Sequence, residues 1–204
     1  MGGGVKREVA LIVVEGDWEV PVAMRILKEL QVDYSDAQIL NKRGRTHFWP
    51  NIARYNAAAS HLGVVFALAD LEEDRCAPLL LKRHLSKKPH ANFVCRVAIR
   101  ALESWLLADR NQFGEFLKAP FAKLPAKPDA LVHPKKTVVE LARRHSPEFL
   151  KRDLVPGEGT AGITGRYYHA RMVEFVVKHW NPRDARSNSS SLDRAMRALE
   201  TVFD

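Results

Sequence analysis

The chain has 204 residues, which is more than most single domains have but few for two well-packed domains, so we predict one domain. Because 46% of its residues are apolar, we expect it to fold without disulfides or a structural metal. Its 32 Lys and Arg residues against 24 Asp and Glu residues favour a polyanionic partner such as nucleic acid. Two cysteines without a CxxC motif exclude a zinc or redox pair, and no apolar run could span a membrane or form a signal peptide, so we expect a cytoplasmic protein.

The first half of the chain alternates apolar runs with helical patterns. Residues 8–14 (EVALIVV) predict a strand, which ends at Glu15-Gly16 before a helix over 20–30. The later predicted strands cover 37–40, 64–68 and 92–98, and the later predicted helices cover 51–61, 78–85 and 101–108. Apolar strands that alternate with helices favour an α/β fold with a mostly parallel central sheet flanked by helices on both faces.

The sequence changes character after Asp109, where four prolines interrupt a Lys-rich stretch and no further strand pattern follows. Helical spacing covers residues 136–144, 147–152, 166–180 and 192–203. In the serine run before the last helix, Ser190 or Ser191 is predicted to cap it. We therefore expect an α/β core over residues 1–110 and a helical C-terminal extension over 111–204, packed on the core as a single compact domain.

The first acidic motif follows the first predicted strand. Gly16 lets the backbone turn sharply, so that the Glu15 carboxylate projects from the strand end, and Glu19 lies one helical turn further along. These carboxylates could serve one metal ion or two neighbouring ions. In the structural alternative, Glu15 is a turn residue and Glu19 is a favourable charge in the first turn of a helix.

The second motif, Asp70-Leu71-Glu72, follows another strong strand. In an extended segment Asp70 and Glu72 face the same side while Leu71 faces the core. Two carboxylates on one side repel each other unless a cation or a proton lies between them, which favours a metal site. The alternative is a polar strand end followed by an acidic helix start.

The third motif is Glu103 in the segment ESWLLAD, where it is the polar residue at the turn nearest the preceding strand. Trp105 is expected to pack in the core, and Asp109 is expected to terminate the segment. Because strand ends and the loops after them meet at one edge of a parallel sheet, the three motifs could converge on one acidic cleft.

These motifs, in this order, resemble the Toprim domains of the OLD-type nuclease group, in particular small stand-alone bacterial Toprim-like proteins. The resemblance covers about residues 8–110, and Gly165-x-Tyr167 and Trp180 are also in keeping with it. It implies a Toprim-like (Rossmann-like) fold and a hydrolase of phosphodiesters that depends on Mg²⁺ or Mn²⁺. The chain departs from the family where Glu72 replaces the usual second Asp, whose side chain is shorter by one methylene.

The resemblance also implies roles for the acidic residues. Glu15 would be a metal ligand or general acid/base, Asp70 and Glu72 would hold metal, and Glu19 and Glu103 would help to bind a second ion. The OLD-type proteins carry an ATPase domain that this chain lacks, which leaves a separate ATPase partner as an option.

Basic residues supply candidate contacts to phosphate. They are Lys42, Arg43 and Arg45 in the loop after the second strand, and Lys135 and Lys136 near a helix start. Alternatively each is a solvated surface charge. The ring-bearing residues beside the first group, His47, Phe48 and Trp49, would either stack on the bases of a single strand or have a core or hinge role.

The sequence therefore predicts a metal-dependent nuclease that acts on nucleic acid, DNA in the first place, and the resemblance adds defence against foreign DNA. Two other functions stay open. One is a non-catalytic nucleic-acid-binding module with the same fold, and the other is a phosphohydrolase that acts on nucleotides. A homodimer is a further option, because the C-terminal helices carry apolar residues that need cover.

Overall fold

The computed structural model describes residues 8–204, so the first seven residues of the predicted core lie outside it. The chain divides into two compact units. The first contains the residues up to Val97 together with Arg194–Asp204, and the second contains Ala98–Asp193. A core that extends to residue 110 and an extension packed on it as a single domain stay predictions.

A parallel sheet of four strands in the order β2-β1-β3-β4 forms the centre of the first unit. The strands are β1 (Val9–Val14), β2 (Gln38–Asn41), β3 (Val64–Asp70) and β4 (Phe93–Ala98). Helices flank the sheet, so the predicted α/β class is confirmed. Each strand lies within two residues of its predicted bounds.

The helices of the first unit cover the sheet, and those of the second unit follow β4. In the described residues they are α1 (Glu19–Glu29), α2 (Arg45–Phe48), α3 (Ile52–Leu62), α4 (Ala77–His84), α5 (Leu102–Ala108), α6 (Arg110–Leu117), α7 (Pro134–His145), α8 (Glu148–Leu154), α9 (Tyr168–Lys178), α10 (Pro182–Ala185) and α11 (Ser190–Phe203). None of these helices is long and apolar enough to cross a membrane.

The position of each strand in the sheet explains its composition. The central strands β1 and β3 are buried almost throughout, which requires apolar side chains on both faces. The edge strand β2 is shorter and more exposed, and Ile39 on it is 44% exposed. At this edge of the sheet, the strand with unpaired backbone groups is therefore only four residues long.

The strand order places a crevice beside β1. The chain runs from β1 to β2 on one side and then crosses to β3 on the other side of β1, so the connections diverge between β1 and β3. In open α/β sheets, ligands bind at the carboxyl ends of the strands that flank such a switch point. Glu15 directly follows β1 and Asp70 ends β3, so two predicted site residues lie at this point.

The second unit is helical and has an aromatic core. The Phe113 and Phe175 rings meet edge to face with centroids 4.8 Å apart. The Trp105 indole N–H donates to Ser191 Oγ at 2.7 Å, and the Trp180 indole N–H donates to the Trp105 carbonyl at 3.3 Å. Because Trp105 is fully buried, its predicted core role is confirmed.

The starts of α6 and α11 depend on capping side chains that the sequence pattern does not predict. The Asp109 carboxylate accepts from the Gln112 amide at 3.3 Å, so Asp109 starts α6 as well as ending α5, and the sequence pattern had not predicted α6. The cap of α11 is Ser189, whose Oγ accepts from the Leu192 amide at 3.2 Å, so the prediction of Ser190 or Ser191 was wrong.

Candidate functional site

Glu15 is the centre of the candidate site. It follows the buried end of β1 and is only 7% exposed, and its carbonyl accepts from the Gly44 amide at 2.7 Å. The backbone N–H of Asp70 donates to the Glu15 carboxylate. Its Oε2 atom is buried and has no hydrogen-bond partner among residues 8–204. A buried carboxylate oxygen without a donor is costly unless a proton or a cation completes it.

The surroundings of Glu15 disfavour its ionised form. Burial raises the pKa of its carboxyl group from 4.5 to about 7, and the negative charges of Glu72 and Glu19 add to that rise, while Arg45 opposes it. At neutral pH the carboxyl group is therefore near the midpoint of its titration, where it can accept or donate a proton.

Gly16 brings a second carboxylate close to the backbone. Glu19 lies in the first turn of α1 and is 6% exposed. A Cβ atom on residue 16 would lie 2.8 Å from Glu19 Oε2 and 3.3 Å from Glu19 Oε1. Gly16 thus makes room for the Glu19 carboxylate. This is a physical reason for a glycine between two glutamates at this spacing.

Asp70 and Glu72 have different backbone environments. β3 ends at Asp70, and Leu71 is buried as predicted, but Glu72 lies in a turn with φ 52° and its side chain is 52% exposed. The Asp74 amide closes this turn on the Leu71 carbonyl at 3.1 Å. The extended geometry that was expected for Asp70 and Glu72 therefore stops at Asp70.

Arg45 organises the acidic turn after β3. Its Nη1 lies 3.4 Å from Glu72 Oε2 and donates to the Asp70 carbonyl at 3.3 Å, and its Nη2 binds Asp74 Oδ2. A second cation, Arg83, contacts Asp74 Oδ1 at 3.0 Å. The guanidinium of Arg45 thus compensates the charge of two carboxylates, and its predicted contact with phosphate stays a prediction.

The rest of the loop after β2 is joined to the end of β1. The Lys42 amide donates to the Val14 carbonyl at 3.0 Å, and the Arg43 amide donates to Asn41 Oδ1 at 2.8 Å. The loop that carries both cations is thus anchored beside the strand end that precedes Glu15.

Phe48 and Trp49 are buried in the first unit, with exposed fractions of 0% and 3%. The Trp49 ring packs against His84 at a centroid distance of 5.2 Å, and the Arg45 guanidinium lies 5.8 Å from its centroid. These two aromatic side chains therefore pack in the core and offer no exposed face for stacking on bases. His47 is exposed, and its predicted stacking on bases stays a prediction.

Glu103 is fully buried in the second unit, at the start of α5. Its Oε1 accepts from the Tyr168 hydroxyl at 3.2 Å and lies 3.7 Å from Lys135 Nζ. Its Oε2 is buried and has no hydrogen-bond partner among the described residues. Lys135 is thus the counter-ion of Glu103, and the predicted role of Glu103 beside Glu15 stays a prediction.

The donor set of the first unit fits a hard divalent cation by its chemistry. Mg²⁺ and Mn²⁺ take oxygen ligands, and Glu15 Oε2 is an acceptor to which no donor of the described residues binds. Within residues 8–204, however, no three His, Cys, Asp or Glu side chains are grouped closely enough to hold an ion together. Glu72, which would be the third carboxylate beside Glu15 and Glu19, forms an ion pair with Arg45 instead.

Comparisons with known proteins give one distant structural likeness. No protein-family model matches the chain, and no curated protein matches it. A solved structure of the C-terminal region of the Burkholderia pseudomallei OLD protein is similar to it with a TM-score of 0.45 and 13% identity, over 98% of this chain and 100% of that chain. A likeness at this level establishes neither a family nor an activity.

Proposed function

We propose that the chain is a divalent-metal-dependent nuclease whose site is formed by Glu15, Glu19, Asp70 and Glu72. The observation that carries this proposal is the position of Glu15. Its carboxylate is buried near other carboxylates at the switch point of a parallel sheet, and one of its oxygens has no donor among residues 8–204. Burial of this oxygen without a partner costs free energy, which favours a proton or a cation as its partner.

A bound Mg²⁺ or Mn²⁺ ion would activate water and neutralise charge on a phosphodiester. Glu15 and Glu19 would hold the ion, together with Asp70 and with Glu72 once it is released from Arg45. That Glu103 helps to bind a second ion stays a prediction from the resemblance.

The chain itself would supply proton transfer and charge compensation. As a ligand of the ion, Glu15 would stay ionised. If the other carboxylates hold the ion instead, the Glu15 carboxyl group, whose pKa is about 7 in the ion-free chain, is matched to accepting a proton from an attacking water at neutral pH. Arg45 is a fixed cation at the rim of the same carboxylates, where it can compensate a phosphate that approaches them.

The test is cleavage of supercoiled plasmid and of single-stranded oligonucleotides in Mg²⁺ or Mn²⁺. We expect Glu15→Ala to lower the rate at least about 100-fold, because it removes either a ligand of the ion or the proton acceptor. The matched control is Glu158→Ala, which removes an exposed carboxylate and should leave the rate unchanged. Cleavage that persists in Glu15→Ala would contradict the proposal, and calorimetric titration with Mn²⁺ checks ion binding without turnover.

One observation favours a second candidate, a nucleic-acid-binding module without turnover. Arg45 already neutralises Glu72 and Asp74, so the acidic turn is stable without an ion. For this candidate we expect equal DNA affinity in EDTA and in Mg²⁺, with no cleavage under either condition. Metal-dependent cleavage that is lost in Glu15→Ala would exclude it.

A further inference from the structure

A groove runs along α7 in the second unit. Lys123, Lys136 and Arg144 line it together with the apolar residues Leu131 and Val132. The three cationic side chains are exposed. The groove thus combines apolar surface with cations that water can reach.

The carboxylate in the groove does not cancel its positive charge. Glu140 binds Arg143 and Arg144 through separate oxygens, each at 2.5 Å. These hydrogen bonds, that from Arg144 first, lower the pKa of the Glu140 carboxyl group, so it stays ionised and paired. One carboxylate balances only one of the two guanidinium charges, and Arg144 binds it through Nε, which leaves its Nη groups as donors for phosphate. Together with Lys123 and Lys136, this charge is complementary to a phosphate backbone.

The apolar part of the groove indicates which form of nucleic acid fits. Val132 is 71% exposed, an unusual degree for a large apolar side chain between cations, and His133 beside it is exposed as well. A single strand offers unstacked base faces to apolar side chains and imidazole rings, whereas a duplex buries those faces.

We propose that this groove binds a single strand of nucleic acid, with Lys123, Lys136 and Arg144 on the phosphates and Val132 and His133 against the bases. The 12 residues of α7 extend about 18 Å, enough for several phosphates of one strand. The proposal rests on the proposed function in naming nucleic acid as the substrate, but the binding itself needs neither metal nor Glu15.

The test measures fluorescence anisotropy of a labelled oligo-dT of about 20 nucleotides, a length that exceeds the groove, in EDTA. We expect Lys136→Glu with Arg144→Glu to raise Kd at least about tenfold and to lower the salt dependence by about one ion for each lost contact. The matched control is Arg152→Glu with Lys178→Glu, which reverses two exposed charges on α8 and α9. It should change Kd by less than about threefold, because it alters only long-range electrostatic attraction, which salt screens.

Several results would overturn the inference. The first is that the groove variant and the control lose affinity equally. The second is that the wild type does not bind in EDTA, and the third is that duplex DNA competes as well as the single strand does. A neutral variant, Lys136→Gln with Arg144→Gln, removes the contacts without adding negative charge. Circular dichroism of all variants shows whether a loss of affinity comes from a loss of folding. The Glu15→Ala cleavage assay tests the nuclease proposal and the binding assay tests the groove. A negative result in one assay therefore leaves the other proposal unaffected.

Discussion

The Glu15 carboxyl group links the stability of the first unit to pH. Its pKa is raised from 4.5 to about 7 by burial first, then by Glu72 and Glu19, against the opposing charge of Arg45. Between these two pH values the folded chain keeps a proton that the unfolded chain has lost. The free energy of unfolding therefore falls as pH rises through this window, and the loss is complete above about pH 7.

We expect Glu15→Gln to remove this pH dependence, because the amide resembles the protonated acid. Relative to the wild type, the free energy of unfolding of Glu15→Gln should rise by about 1–2 kcal/mol between pH 5 and pH 8, a value that allows for solvent screening. Urea denaturation at both pH values in EDTA measures it. The control Glu158→Gln should show no such change, and a flat difference for Glu15→Gln would contradict the raised pKa.

Gly16 allows a test of the Glu19 position. A Cβ on residue 16 meets the end of the Glu19 side chain, which can move, so Gly16→Ala should lower stability by less than about 1 kcal/mol. The displaced carboxylate should nevertheless weaken Mn²⁺ binding, which calorimetric titration measures. Gly157→Ala is the control, because its Cβ would meet Thr160 at an ordinary 3.8 Å. Unchanged Mn²⁺ affinity in Gly16→Ala would exclude Glu19 as a ligand.

The sequence revealed Glu15 and Glu19 because both belong to one short motif after a strand. Arg45 was assigned only to phosphate, since its partners Glu72 and Asp74 lie 27 and 29 residues further along the chain and meet it only in the folded sheet. Local patterns find residues that share a turn, whereas an ion pair between two loops depends on the order of the strands.

At the level of elements, β1, β3 and β4 were predictable because buried parallel strands are continuous apolar runs. α6 was missed for a related reason. Its sequence RNQFGEFL contains a glycine and few apolar residues, and its start depends on the Asp109 carboxylate, which the Asn181 amide also contacts at 2.8 Å. A cap that is held by a residue 72 positions away is not visible in a local pattern.

Gly165 joins α8 to α9 at a backbone crossing. A Cβ there would lie 2.4 Å from the Asp153 carbonyl oxygen and 2.8 Å from the Leu154 carbonyl carbon, and neither backbone atom can move aside. We expect Gly165→Ala to lower the free energy of unfolding by at least about 2 kcal/mol, measured by thermal or urea denaturation. Gly162→Ala, whose nearest contact would be 3.5 Å, should be nearly neutral. Equal stability of the two variants would contradict this crossing.

For the whole molecule, the net charge of +8 favours a polyanionic partner, and the salt dependence of binding tests the proposal that this partner is nucleic acid. We expect Kd for an oligonucleotide to rise at least about tenfold between about 50 and 200 mM NaCl, because bound phosphates release counterions. Anisotropy titrations measure this change. A peptide nucleic acid of the same sequence has a neutral backbone and should bind weakly at every salt concentration, and equal affinity for both would show that charge does not drive binding.

The parallel α/β class could be predicted from alternating patterns, but the strand order could not. Apolar runs indicate that β1 and β3 are buried, yet they do not say that β1 pairs with both β2 and β3. That pairing is what brings Asp70 next to Glu15 at the switch point.

The short edge strand β2 also bears on how copies of the chain behave in solution. An open edge offers unpaired backbone groups to a neighbouring molecule, and long apolar edges promote strand addition and aggregation. Here the edge has four residues, and the cations Lys42 and Arg43 follow it directly. The same loop that is proposed to contact phosphate thus protects the sheet from pairing with a second sheet, and neutral residues at both positions would leave that edge open to aggregation.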